Sequence, residues 1–460
     1  MNRYLLLICV FFQLNNLIAQ TDLVRYLPDN SPDRIMMGLP KNPATSFGLT
    51  WRTNINITKS IGEITKANPS PKFKNTTNRV TGSHSPWEKG SDFAMGHKIV
   101  FSDLEPNTKY IFRVGDGINW SEWIQYKTAS EKSEPFSFIY FGDVQNNIKE
   151  HCTRVFRQAY SNKHDAAFAL FVGDLVSTSS EKYWSEFFYA GGSYLRTIPS
   201  IATPGNHEYY KPPAHDVGTF SRHWNQIFLN PNNGPDSLKN QAFYVDYQGT
   251  RIISLNSIHI NTKREFAKEQ LAWFESVLQN NPQNWTIVTF HHPVYSCAHK
   301  KDYKLMREEV KPILEKYGVD LVLQGHVHSY CRGMYLDYVS QGCKNPPMYV
   351  VSVVGSKMYS LGTTFKHDRV ASMTQLYQTI DVDIDTLTYN SYTVSGELYD
   401  SFQLVKTKSG KNKLIEKPII EEINQRVKLP KNYNKKYTEE DRKKYLEIYD
   451  YKITDDEPIK

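Results

Sequence analysis

Phe136-Ser137-Phe138-Ile139-Tyr140-Phe141-Gly142-Asp143 decides the fold: an apolar run of strand length, closed by a glycine and a carboxylate. Four further stretches repeat that plan in order along the chain. Ala166 to Val172 leads to Gly173-Asp174, and Ile198 to Thr203 leads to Gly205-Asn206-His207-Glu208. Trp285 to Phe290 leads to His291-His292-Pro293, and Asp320 to Leu323 leads to Gly325-His326-Val327-His328. Each run has the length and the β-branched or aromatic content of a buried strand. Open α/β sheets bind ligands just beyond the carboxyl ends of their strands. Five such loops would gather two Asp, one Asn and several His at one rim. Carboxylate, amide and imidazole together suit a transition metal, and the set is large enough for two ions about 3.5–4 Å apart.

Between these runs the spacing predicts amphipathic helices over Glu150 to Tyr160, Glu269 to Leu278 and Tyr303 to Tyr317. Met348 to Gly355 reads as a further buried strand. Ile380 to Ile384, Tyr389 to Val394 and Ser401 to Val405 read as an antiparallel finish. Upstream, Thr21 to Thr128 is all-β in pattern, with short alternating runs such as Ser46 to Arg52 and Tyr110 to Val114 between Pro, Asn and Gly turns. Trp51 and Tyr110 lie on early and late strands of the sandwich that this implies. Ala129 to Glu134 is a polar linker.

Both ends differ from the middle. Met1-Asn2-Arg3, the apolar Tyr4 to Phe12 and the exit Leu17-Ile18-Ala19 read as a signal peptide, residues 1–19, so the expected location is secreted or periplasmic. After Lys406 the composition turns to Lys, Glu and Asn, and Thr438 through Asp441 reads as a capping box opening a helix. The net charge of +7 over 460 residues is spread out. It favours phosphorylated small molecules over nucleic acid, and no segment reads as a membrane span. Export leaves Cys152, Cys297, Cys331 and Cys343. Cys331–Cys343 is the local pairing and Cys297–Cys331 a bridge from rim to rim; sequence does not choose. Cys152 is expected simply to be buried.

The five motifs in this order resemble the calcineurin-like metallophosphoesterases, and within them the purple acid phosphatases, from about Phe136 to Lys406. The resemblance implies a four-layer αββα sandwich, residues 135–406, behind a fibronectin type III-like β-sandwich, residues 21–130, with a charged extension at 407–460. Phe112-Arg113-Val114-Gly115-Asp116 and Trp120-Ser121 carry the likeness of the first domain. It further implies two metal ions, drawn from Fe, Zn or Mn, and hydrolysis of a phosphoric ester by a metal-activated water. Carried over by motif, Asp174 would bridge the ions, Asp143 and His328 would complete the first site, and Asn206, His291 and His326 would hold the second. His207 would protonate the leaving oxygen, with Glu208 holding it, and His299 would face the substrate. Tyr209, Tyr210, Trp224 and Tyr295 are the aromatics expected beside the leaving group.

Two positions depart from the family. Where purple acid phosphatases carry the tyrosine whose phenolate binds ferric iron, this chain has Ser177. Where other members have Asp-x-His in the first motif, this chain has Gln145, whose amide oxygen is then the candidate fourth ligand. A divalent pair or mixed occupancy, and a protein that is not purple, are expected. An acid-phosphatase-like monoesterase is the simplest reading. A phosphodiesterase or nucleotidase shares the same metal core, and a non-enzymatic surface protein is the reading from another class.

Overall fold

The computed structural model describes residues 26–87, 93–210, 219–262 and 265–417, together with 438, 440, 441, 443, 444 and 447. The signal peptide expected at 1–19 and most of the extension beyond 417 lie outside the described residues. Among those described, no helix is long and apolar enough to cross a membrane.

The first unit is a sandwich of two four-stranded sheets. In one sheet Phe47–Asn54 lies between Asp33–Gly38 and Ala94–Phe101; in the other Lys109–Gly115 lies between Ile61–Lys66 and Ile124–Lys127. Phe47, Leu49 and Trp51 face Phe112, Val114 and Tyr126 in the core, with the Phe47 and Phe112 ring centres 4.8 Å apart. Seven of the eight residues of Phe47–Asn54 are buried, where a strand with one wet face would alternate. The reason is a second cover: Met36, Trp87 and Ala94 pack against Trp184, Trp224 and Phe228 of the following unit.

Two seven-stranded mixed sheets build that second unit. Strands Phe136–Phe141, Ala169–Phe171 and Ser200–Ala202 run parallel, extended by antiparallel Leu376–Val382, Thr386–Thr393 and Leu398–Lys406. The facing sheet has Thr250–Ser254, Trp285–Thr289, Leu321–Gln324 and Met348–Val351 in parallel. Alternation then sorts the side chains, because successive residues of a strand point to opposite faces. Phe138, Tyr140 and Leu170 meet Ile252, Ile287 and Leu323 between the sheets. Ile139, Phe141 and Phe171 meet Val155, Phe156 and Phe187 of the outer helices Thr153–Asn162 and Glu181–Gly191. Val288 and Val322 meet Phe274 and Leu314 of helices Ala267–Gln279 and Lys311–Tyr317 on the other side. The layers are therefore αββα. The sheet also runs past Lys406, because Asn412–Glu416 pairs with Leu398–Lys406 and Glu416 reaches Arg332 at 2.7 Å. A boundary drawn at 406/407 from composition thus falls inside a hairpin. Further on, Thr438 and Asp441 cap each other as expected, at 2.8 and 3.1 Å.

Candidate metal centre

All five motif loops leave the carboxyl ends of their strands and converge where the two sheets touch, through an isolated bridge between Asp143 and Val353. Two overlapping groups result: Asp174, His291 and His326, and Asp143, Asp174 and His328. Within each group the ligand atoms lie within 4.8 Å of one another, and Asp174 is common to both.

Local backbone geometry presents these atoms. Asp174, His326 and His328 have φ of 52°, 73° and 45°, a region unfavourable for non-glycine residues and found at sites that the surrounding fold over-determines. A methyl group added at Gly205 would lie 2.3 Å from Asp174 Oδ1, and one at Gly325 2.3 Å from Asp143 Oδ1. These two glycines are needed for close approach. Each carboxylate divides its oxygens. Asp174 Oδ1 accepts the His207 backbone N–H at 2.8 Å, and Asp143 Oδ1 accepts that of His326 at 2.6 Å. The other oxygens face imidazoles: Asp174 Oδ2 lies 3.1 Å from His291 Nε2, and Asp143 Oδ2 lies 3.1 Å from His328 Nε2.

Carbonyls behind the imidazoles fix their orientation. His291 Nδ1 is 2.8 Å from Val172 O and His328 Nδ1 is 2.8 Å from Lys357 O, so each Nε2 points inward. His326 Nδ1 sits 3.0 Å from His291 Nε2. Burial opposes charge on His291, yet Asp174 and Asp143 hold it up at about 9. Burial and then the neighbouring His292 and His291 push His326 well below its ordinary range. The Asp174 carboxyl would be raised by burial, but His291 outweighs that and holds it low.

Three oxygens of this neighbourhood are buried without a hydrogen bond: Asp143 Oδ2, Gln145 Oε1 and Asn206 Oδ1. A buried orphan acceptor costs about 1–3 kcal/mol, so three together need a partner of another kind. A bound cation would be such a partner, and carboxylate, amide and imidazole donors fit a divalent transition metal.

The remaining expected residues divide. Asn206 opens the turn Asn206–Glu208 directly after its strand. Gln145 reaches in, its Nε2 2.9 Å from Asp174 Oδ2 and 3.1 Å from His328 Nε2. His207 stands at the edge with 15% side-chain exposure, Nδ1 2.6 Å from Ser177 O and Nε2 3.9 Å from Asp174 Oδ2. Ser177 O, and not Glu208, therefore holds the ring. Glu208 is fully buried and accepts the backbone N–H groups of Asp174, Leu175 and Gly205 at 2.9, 2.9 and 2.7 Å, locking the second motif to the third. His299 belongs to neither ligand group; its backbone N–H pairs with Ser360 O at 3.0 Å. His292 backs the site, bonded to Ser257 Oγ.

Two of the aromatics expected at the leaving group are core. Trp224 is fully buried, its Nε1 donating to Asn240 O, and Tyr295 stacks on Tyr335 at 3.9 Å. Tyr303 and Tyr359 lie beside the site's imidazoles instead, with ring centres 5.0 Å from His326 and 4.7 Å from His328. Neither stands beside a motif, so no local pattern marks them.

Residues 136–330 match the calcineurin-like phosphoesterase family, and residues 32–128 match the purple acid phosphatase N-terminal domain. Purple acid phosphatase 21 of Arabidopsis thaliana is 28% identical over 276 residues, covering 59% of this chain and 60% of the relative. Acid phosphatase type 7 of Danio rerio is 26% identical, covering 51% and 57%. The chain thus spans less than two thirds of these relatives. A purple acid phosphatase from yellow lupin (Lupinus luteus) seeds shares the fold, with TM-score 0.68, 17% identity and coverage of 83% of this chain and 75% of that one. The chain thus carries a calcineurin-like phosphoesterase domain behind a purple acid phosphatase N-terminal domain, and the relatives it matches are named acid or purple acid phosphatases.

Proposed function

We propose that this chain is an exported, dinuclear-metal phosphoric-ester hydrolase acting as an acid-phosphatase-like monoesterase. The observation that supports it most is the pair of ligand groups sharing Asp174, beside three orphaned oxygens. Asp143, Asp174 and His328 would hold one metal, with Gln145 beside them as a candidate amide-oxygen donor. Asp174, Asn206, His291 and His326 would hold the other. Asp174 is common to both groups, and its Oδ1 also accepts the His207 backbone N–H. Bound metals supply Lewis acidity, lowering the pKa of a water and drawing charge from the phosphoryl oxygens.

The chain's own groups do the rest. His207, its Nδ1 turned to Ser177 O, presents Nε2 to protonate the leaving oxygen. Tyr303 and Tyr359 wall the mouth. Lys301 and Lys357 place their Nζ atoms 5.9 and 5.5 Å from the Tyr359 ring centre, so the mouth carries positive charge. A monoester dianion gains more from that charge than a diester monoanion, which favours the monoesterase reading. His299 is assigned to the outer, substrate-facing loop.

One relative is named an Fe(3+)-Zn(2+) purple acid phosphatase. Here Ser177 and Gln145 offer no anionic oxygen, and we assign a divalent or mixed pair from Fe, Zn and Mn. The fibronectin type III-like character of the sandwich, and export by residues 1–19, belong to the same proposal. Turnover of a monoester and a diester of one chromophore, on a sample of measured metal content, tests it. Preference for the monoester is expected. Preference for the diester would make the enzyme a phosphodiesterase, and turnover of neither with metal bound would overturn the hydrolase reading.

A further inference from the structure

Two thiols meet between the loops that carry the histidines. Cys297 ends the loop that begins at His291, and Cys331 lies on strand Tyr330–Gly333 just after His328. Both are buried, and the Cys331 thiol is in hydrogen-bond contact with Cys297. Separate backbone contacts hold each in place. Gly362 N–H donates to Cys297 O at 2.7 Å beside an Ala298–Leu361 bridge, whereas Cys331 is in register with Val351 and Val370. Cys343 sits elsewhere, half-buried among Glu315, Lys311 and Lys411, and Cys152 donates to Val144 O at 3.1 Å. Of the pairings open to the sequence, the fold brings together the one from rim to rim.

We infer that Cys297 and Cys331 form a disulfide that staples the loop of His291 to the strand following His326 and His328. The bond would form by thiol–disulfide exchange with a disulfide-bearing donor, such as oxidised glutathione or a thiol oxidoreductase. One thiolate attacks the donor disulfide and releases one donor thiol. The second cysteine then displaces the other, so the two electrons and two protons leave with the donor. Burial keeps both thiols from outside reagents once the fold has closed, so exchange belongs to folding. The staple would close a loop that contains helix Lys311–Tyr317 and strand Leu321–Gln324, linking both histidine-bearing segments without any metal.

The test is to refold the chain with oxidised and reduced glutathione, alkylate in denaturant, digest without reduction and map peptides by mass spectrometry. One reducible peptide pair joining Cys297 to Cys331 is expected, with Cys152 and Cys343 alkylated, and the same link in Cys343→Ser. Alkylation of all four, or a Cys331–Cys343 link, overturns the inference. Hydrogen exchange then tests the staple itself. Amides of residues 294–299 should exchange about tenfold faster in the Cys297→Ser/Cys331→Ser variant than in the oxidised chain. Equal exchange in a variant of unchanged circular dichroism would refute the stapling role.

Discussion

The metal rim and the seam between the two units both bury charge, and they treat it in opposite ways. At the seam both oxygens of Glu181 are engaged: Trp87 Nε1 and His223 Nε2 at 2.5 and 2.9 Å on Oε1, Arg52 and Arg34 at 2.8 and 2.9 Å on Oε2. At the rim Asp143 Oδ2, Asn206 Oδ1 and Gln145 Oε1 are buried with no hydrogen bond. A closed network fixes one structure, whereas an open one holds a place for a ligand. The seam is for stability and the rim for chemistry.

The sharpest break comes at the rim. Asp174→Asn or Asn206→Ala should lower phosphoester turnover on the order of 10³-fold and cost bound metal, because each removes a donor that positions transition-state charge. The melting temperature of the metal-free Asn206→Ala chain should hold or rise, since a buried acceptor lacking a partner has gone, whereas Asp174→Asn should lower it by taking the carboxylate from His291. Calorimetry and elemental analysis check both halves.

At the seam the signs reverse. Glu181→Gln should cost about 3 kcal/mol of stability, as expected when one partner of a buried ion cluster is removed, while metal stoichiometry stays unchanged. Denaturant unfolding measures it. Acid sharpens the same contrast. Burial would raise the Glu181 carboxyl, but His223, Arg34 and Arg52 outweigh it and hold it at about 2, against an ordinary 4.5. Its contribution is therefore complete above about 4.5 and is lost as the pH falls toward 2, and Glu181→Gln should flatten that limb. His97 adds a step at milder acidity. Buried against Trp51 and bonded to Thr53 and Ser60, it is pushed down to about 4 from 6.5, so folding keeps it neutral. Stability should be complete above about 6.5 and fall as the pH drops toward 4.

Smaller effects sharpen the rim. Gln145→Ala should weaken one metal about tenfold or more, as titration with a competing chelator would show. Ser177→Tyr, loaded with iron, should gain a visible charge-transfer band that the parent lacks. A strong band in the parent would contradict the reading of Ser177.

Much of this was legible because each motif ends a strand, and an apolar run closed by Gly-Asp or Gly-x-His states both the element and the donor. Asp143, Asp174, His291, His326 and His328 meet for that reason, and Asn206 opens the third motif's turn with its Oδ1 buried and unbonded. What was hidden depends on neighbours distant in sequence. Glu208 sits beside His207, yet it serves the backbone of Asp174 and Leu175. Trp224 and Tyr295 look like rim aromatics but face the core, since polarity does not reveal the side of a loop that packs. Tyr303 and Tyr359 come from segments without a motif. The strand Asn412–Glu416 was masked by its Lys- and Glu-rich composition, as an edge strand often is.

The most direct test is metal per chain, by elemental analysis, in the parent and in Asp174→Asn, with monoester hydrolysis on the same samples. The account predicts about two ions and turnover in the parent, and loss of both in the variant, because one carboxylate serves both sites. Two ions with full turnover in Asp174→Asn, or none in a parent loaded with zinc, iron or manganese, would contradict it.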